Sequence, residues 1–336
     1  MIDKRSHVGH TGVVTDQTTV AETWREEGFI VLPGFLSEAA LAPAVAQLGM
    51  LFPSADEYHD DPDAHRNGRF ADEFGGIDNF PFSSVELSLL AVHKDLVALA
   101  AVLLSTSDLR VYSIEAWAKY TGAADYDQHH HRDYLSQTMV VPSADIRFQQ
   151  VEMFLYLGDV PAELGPPSFV SRRFTHDRPA IPNWLPSEDA VGLDPSHPSW
   201  ISQQGAPDLY EREVSGAGPA GTVVAYANDT FHRGTALRVP RGARYTLHLN
   251  FRPAGVDWIS RHSWQRSTNT SRWHEFVVRA APEQLALFGF PLPGHDYWTD
   301  NTLAGAAERY PYLDLTPWRS EHERLLLQQR PEEPRS

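Results

Sequence analysis

The densest group of metal-ligating side chains in the sequence is Gln128-His129-His130-His131-Arg132-Asp133-Tyr134. Within it, His131 and Asp133 stand two apart. On an extended segment, residues i and i+2 point the same way, so an imidazole nitrogen and a carboxylate oxygen can reach one ion. A third ligand from another segment would complete a facial triad, the arrangement that leaves positions open on a non-haem iron(II) for substrate and oxygen. A lone His-x-Asp is weak evidence, because such tripeptides also arise by chance. His232 is the best third ligand, since it follows the strand-like GTVVAYAND (221–229) and precedes Gly234. His176, His248 and His262 compete for that place. Neighbouring histidines alternate sides, so His130 points away from an ion held by His131. His129 shares parity with His131 but reads better as a loop residue at the entrance.

Beyond the ligands, the segment ARYTLHLNF (243–251) alternates. Arg244, Thr246, His248 and Asn250 fall on one face, and Tyr245, Leu247, Leu249 and Phe251 on the other. An arginine in a segment otherwise suited to burial needs an anionic partner, and a small carboxylate supplies one by bidentate pairing. Arg241 competes for this role, but it lies between Pro240 and Gly242 and reads as an exposed turn. Lys119, at the end of a strand before the metal-ligand loop, is a further candidate for the same anion. Candidate substrate-pocket residues are Gln128, Tyr134, Gln150, Arg172, His248 and Trp184. Gln150, Glu152, Phe154 and Tyr156 share one strand face. Arg173, Trp200 and Tyr210 also fall near or within a long segment that would lie over the site.

The elements that must position these groups follow from periodicity. TWREEGFIVLPGFLS reads as a short helix, a strand at Phe29–Leu32 and a turn, with Ser37 starting a second helix that Pro43 disturbs. Residues 54–83 suggest an irregular excursion, and 84–104 a helix. The period then shortens: 110–120, 148–159, 221–229 and 243–251 are rich in aromatic and β-branched residues and read as strands. Helices followed by dispersed strands suggest an α+β chain with a sandwich or barrel core. Residues 1–20 read as a flexible arm and 21–336 as one domain, with a lid-like insertion near 170–220 and a helical extension from about 255 packed on the same core.

Bulk composition narrows the function classes. The chain has 336 residues and a net charge of -16, which disfavours nucleic acid and anionic membranes as partners. It has no cysteine, so thiolate nucleophiles, disulfides and cysteine-ligated metals are excluded. No secretory leader is visible at Met1–Thr19, and no window approaches about 18 uninterrupted apolar residues. A cytoplasmic location is the default expectation.

Three stretches carry a resemblance to a known family: HRDY (131–134), VEMFLYLGDV (151–160) with GPPSFVSRRFTH (165–176), and GTVVAYANDTFHRG (221–234) followed by Arg244. Together with GFIVLPGFLS near the start, they resemble the phytanoyl-CoA dioxygenase family of iron(II)/2-oxoglutarate oxygenases over roughly 22–255. The resemblance implies a double-stranded β-helix (a jelly roll) with supporting helices. It implies His131, Asp133 and His232 as iron ligands and Arg244 on the distal carboxylate of 2-oxoglutarate; Lys119, by its position, and Thr235, next to Gly234, are further candidate cosubstrate contacts. The implied reaction is hydroxylation or another oxidation of a small molecule by O2, releasing succinate and CO2. Gly234 and Thr235 stand where many members carry a serine two residues after the distal histidine. Asp133 disfavours the related halogenases, in which a small residue replaces the carboxylate. Two other readings use the same core: a metal-binding protein without turnover, and a cupin-type metal hydrolase or isomerase, which would not need Arg244.

Overall fold

The computed structural model describes residues 17–71, 74–133, 137, 143, 145–176, 178, 193–194, 197–268 and 270–328. Contacts divide the chain into two compact units, Met1–His262 and Ser263–Ser336.

The larger unit opens with α1 (Gln17–Glu27), so the arm expected over 1–20 already includes the first turn of a helix. After β1 (Phe29–Leu32) comes α2 (Glu38–Val45), capped by Ser37 as its sequence suggests. The excursion at 54–83 is more ordered than its composition implies. It holds α3 (Ala55–Asp60), α4 (Pro62–Arg66) and β2 (Ile77–Asn79). The reason is local: Ser54 and Glu57 form a reciprocal cap, and Asp61 with Pro62 starts the next helix.

The apolar segment Val85–Leu104 is long and apolar enough to cross a membrane by composition alone. In the fold it is α5 (Val85–Leu90) and α6 (Lys94–Leu104), interrupted where His93 caps α6, and 56% of the window is buried inside the protein. A core helix pair explains that composition. Leu96 and Leu103 on α6 are fully buried, each contributing roughly 1.5–3 kcal/mol, and α6 lies against the strands that follow.

Those strands are β3 (Leu109–Tyr120), β4 (Val151–Tyr156), β9 (Val223–Ala227) and β11 (Ala243–Pro253). With β1 and β2 they form a six-stranded antiparallel sheet in the order β1-β9-β4-β11-β3-β2. A second sheet pairs β10 (His232–Gly234) with β5 (Pro167–Val170) and β8 (Glu213–Ser215), in the order β10-β5-β8. A two-stranded ribbon, β6 (Leu193–Asp194) and β7 (His197–Ile201), and the short helix α7 (Pro207–Glu211) belong to the long segment before β8.

Register decides what the large sheet presents. Leu247 opposes Ala116 and Leu155, and Leu249 opposes Ile114 and Met153. That face is apolar and buried. On the other face, Arg244 opposes Lys119, Thr246 opposes Trp117 and Tyr156, His248 opposes Glu115 and Phe154, and Glu152 opposes Asn250 and Tyr226. Residues directly opposite share a face, so polar and aromatic side chains from four strands converge on one side.

The smaller unit holds α8 (Ser271–Arg279), α9 (Pro282–Ala286), α10 (Asp300–Arg309) and α11 (Thr316–Gln328). Trp273, Phe276 and Phe288 pack edge-on at its centre.

Candidate metal centre

His131 and His232 meet across an isolated antiparallel bridge, with each backbone N–H donating to the other residue's carbonyl at 2.9 and 3.0 Å. Asp133 follows two residues later in a turn. His131 Nε2 lies 3.7 Å from Asp133 Oδ1, and His232 Nε2 lies 3.4 Å from Asp133 Oδ2. One ligand atom from each of the three lies within 4.8 Å of the others. Each imidazole Nδ1 faces a carbonyl two residues earlier in the chain, His129 O for His131 and Thr230 O for His232, both at 3.0 Å. Donation from Nδ1 fixes the tautomer and leaves Nε2 with its lone pair toward the centre, the usual outer support of a metal-bound histidine.

Burial lowers the His131 imidazole to about 4, with the His232 charge adding to the effect. It is therefore neutral near pH 7. Burial also works against charge on His232, but Asp133 outweighs it and raises this imidazole above its ordinary value. Burial works against ionised Asp133 as well, yet His232 and then His131 hold its carboxyl well below the usual carboxylate range. Two imidazoles and one ionised carboxylate, turned to one point, suit a divalent metal of the facial-triad type.

A second layer stands behind Asp133. The Tyr226 hydroxyl lies 2.9 Å from Asp133 Oδ2 and 3.1 Å from Glu152 Oε2, and Gln137 Nε2 donates to the same Glu152 oxygen at 3.0 Å. Burial, reinforced by the Asp133 charge, pushes the Glu152 carboxyl well above the carboxylate range. Gln150 is wholly buried and donates to the Tyr112 hydroxyl at 2.7 Å. Glu152 and Tyr226 were not singled out from sequence. The parity of VEMFLY was the available signal for Glu152, but nothing local says that β9 brings Tyr226 beside it.

At the other end of the same face, Arg244 and Lys119 are both buried and directly opposed. Two cations side by side on one buried face can together receive an anion. Gly234 lies beside them. Its N–H donates to Gln128 Oε1 at 2.8 Å, and a Cβ there would come 2.9 Å from that oxygen and 3.5 Å from Lys119 Nζ. Gln128 thus fills the space that a serine at 234 would occupy. The Thr235 hydroxyl donates to Pro166 O at 2.7 Å, which turns it to the β5 loop. His248 stacks on Trp117 at 4.3 Å with Nε2 3.2 Å from Thr246 Oγ1. It lines the face and is no part of the triad. Burial and then the charges of Lys119 and Arg244 keep it well below its ordinary value.

Other expected residues go elsewhere. His130 pairs with Glu213 at 2.7 Å, and Glu213 also takes Arg233, which ties the ligand loop to β8. Tyr210 packs edge-on against His130 at 4.6 Å, so it supports that loop from behind. The Arg172 guanidinium bonds Asp229 at 2.6 Å and the Arg25 carbonyl at 2.9 Å. It anchors α1, where a substrate-facing role was expected, because the turn after β5 directs it to the outside. Arg173 likewise pairs with Glu26 and Glu27. His262 lies 3.5 Å from Glu115, and His176 is held on Arg173 O. Arg241 is exposed and pairs with Asp56 and Asp60. Tyr134 and Trp184 lie outside the described residues, as does much of the insertion between 177 and 192.

No known family matches the chain in a family-by-family comparison, and no curated protein matches it in sequence. Among solved structures, it is similar to EctD from S. alaskensis in its apo form, at 16% identity over 77% of this chain and 86% of that one, with a TM-score of 0.49. It is similar to HygX from Streptomyces hygroscopicus with nickel and 2-oxoglutarate bound, at 16% identity over 70% and 86%, with a TM-score of 0.48. It is also similar to the epimerase SnoN in complex with Fe3+, alpha-ketoglutarate and nogalamycin RO, at 20% identity over 71% and 84%, with a TM-score of 0.50. Over 71% of its length, the chain therefore shares its mixed helix-and-antiparallel-sheet fold with SnoN.

Proposed function

We propose that this protein is an iron(II)- and 2-oxoglutarate-dependent oxygenase that oxidises a small molecule, with its two antiparallel sheets forming a double-stranded β-helix. The observation that carries this reading is the pairing of a ligand triad, set against Tyr226 at one end of the large sheet's polar face, with a buried cationic pair at the other end. The His131–Asp133–His232 group supplies the ligands, and the buried Arg244–Lys119 pair supplies a receptor for the far carboxylate of a keto acid. A metal-only protein has no use for the second site.

Iron(II), when bound, would supply activation of O2 coupled to oxidative decarboxylation of the keto acid to succinate and CO2. His131 and His232 would hold the metal through Nε2, since their Nδ1 atoms face carbonyls. Asp133 offers one charge to offset the ion. Arg244 and Lys119 orient the cosubstrate by its distal carboxylate, and Gln128 closes the wall beside Gly234. Tyr226, stacked on Phe154, lays its ring against His232 and limits the access of water on that side.

The test is oxygen-dependent succinate release from 2-oxoglutarate by protein loaded with iron(II). Release is expected with the native chain and not with His131→Ala or His232→Ala. Iron bound in equal amount to the protein, with no succinate above the His232→Ala background, would sink the proposal.

A further inference from the structure

We infer that Tyr226 is a positioning residue for the metal centre: its hydroxyl fixes the Asp133 carboxylate, so that Asp133 faces the two imidazoles and ligates through one oxygen. This rests on the reading of His131, Asp133 and His232 as metal ligands.

The three ligands are held unequally. His131 and His232 are locked by the two backbone hydrogen bonds that join their strands and by their Nδ1 contacts. Asp133 lies in a turn two residues beyond that bridge. A carboxylate offers about four lone-pair directions and can rotate to give one oxygen or two to a metal. Something must choose its orientation.

Tyr226 is built to do so. It sits in β9, with Phe29 of β1 on one side and Glu152 of β4 on the other. Its ring is stacked on Phe154 (5.3 Å, 18°) and leans on His232 (4.7 Å, 52°). The phenol therefore cannot swing. Its hydroxyl reaches Asp133 Oδ2 at 2.9 Å, and Glu152, steadied by Gln137, closes the other side at 3.1 Å. One residue of a central strand thus touches two of the three ligands. With one Oδ2 lone pair committed to the phenol, two-oxygen ligation is disfavoured, and a coordination position stays open for the keto acid.

The experiment uses the full chain with three readouts: melting temperature without metal, Mn(II) dissociation constant from the free-ion EPR signal, and the visible charge-transfer band of the anaerobic iron(II)–2-oxoglutarate complex. Tyr226→Phe keeps the ring and removes only the hydroxyl. It is expected to melt within a few degrees of the native apo protein, to bind Mn(II) about 10–100-fold more weakly, and to shift the band maximum. Arg241→Met, which removes an exposed guanidinium that pairs with Asp56 and Asp60 and touches none of the ligands, is the control, and its Mn(II) affinity is expected to stay within about threefold of native. Native-like affinity and an unshifted band in Tyr226→Phe would overturn the inference. So would a loss in Arg241→Met as large as that in Tyr226→Phe, since the effect would then not depend on the contact with Asp133. A native protein that binds Mn(II) but shows no band with iron(II) and 2-oxoglutarate refutes the oxygenase reading instead, and leaves the affinity comparison to decide the role of Tyr226.

Discussion

Arg244→Met separates a keto-acid enzyme from a generic metal protein. Arg244 is 7% exposed and lies directly across from Lys119, itself 5% exposed. A methionine keeps most of the packing volume and removes the charge and the planar fork. A charge-assisted hydrogen bond to a buried carboxylate contributes about 1.5–3 kcal/mol, and each 1.4 kcal/mol is tenfold in a dissociation constant. Lys119 remains to take part of the anion, so the expected loss is about 2–3 kcal/mol, or roughly 30–140-fold weaker 2-oxoglutarate. The assay is an anaerobic titration of iron(II)-loaded protein with 2-oxoglutarate, followed by the charge-transfer band. Arg241→Met is the matched control. Its guanidinium is exposed and pairs with Asp56 and Asp60, so cosubstrate affinity should not move. A 2-oxoglutarate affinity for Arg244→Met within about threefold of native, with iron still bound, would refute the assignment of the cationic pair to the cosubstrate.

Removing the metal should lower stability. A divalent ion at 100 times its dissociation constant adds about 2.7 kcal/mol, worth about 5–10 °C in a unit of this size, and neither His131→Ala nor His232→Ala should show the gain in calorimetry. Gly234→Ser forces Gln128 away from its 2.8 Å bond. It should cost about 0.5–1.5 kcal/mol and weaken 2-oxoglutarate by crowding Lys119; unchanged melting and affinity would show that the wall is soft. Burial pushes Glu213 up, but His130 and Arg233 outweigh it and hold the carboxyl below its ordinary 4.5. A depressed carboxyl contributes stability that is present above about 4.5 and lost as pH falls through the lower folded value. The gap in melting temperature between the native chain and Glu213→Gln should therefore narrow below that pH and stay constant above it; a gap that widens on acidification contradicts the ion pair.

How far the site could be seen in the sequence depended on how local each cue is. His131 and Asp133 share a side by simple parity. Arg244 stands out because a charged residue interrupts an alternating, buried strand. Ser37, Ser54 and Asp61 are caps that act within three residues of themselves. Each of these was available from the chain alone, although the caps at 54 and 61 were submerged in a polar composition that resembled an irregular loop. Arg172 misled for the opposite reason. Its place in GPPSFVSRRFTH suggested a group facing substrate, but the turn after β5 puts its guanidinium on Asp229 and the Arg25 carbonyl.

By itself, the amino-acid order determined the residue types and the two-residue period: which side chains share a strand face, which turns start helices, and which three ligands and which cation are available. The tertiary structure decided which face turns inward and which strands are neighbours. Glu152 meets Tyr226 because β4 pairs with β9 in one register, and Gly234 meets Gln128 and Lys119 because β10 crosses toward the end of β3. Those encounters join residues 74 and 106 positions apart. No short-range pattern encodes them, since register is settled only when the apolar face of the whole sheet is buried at once.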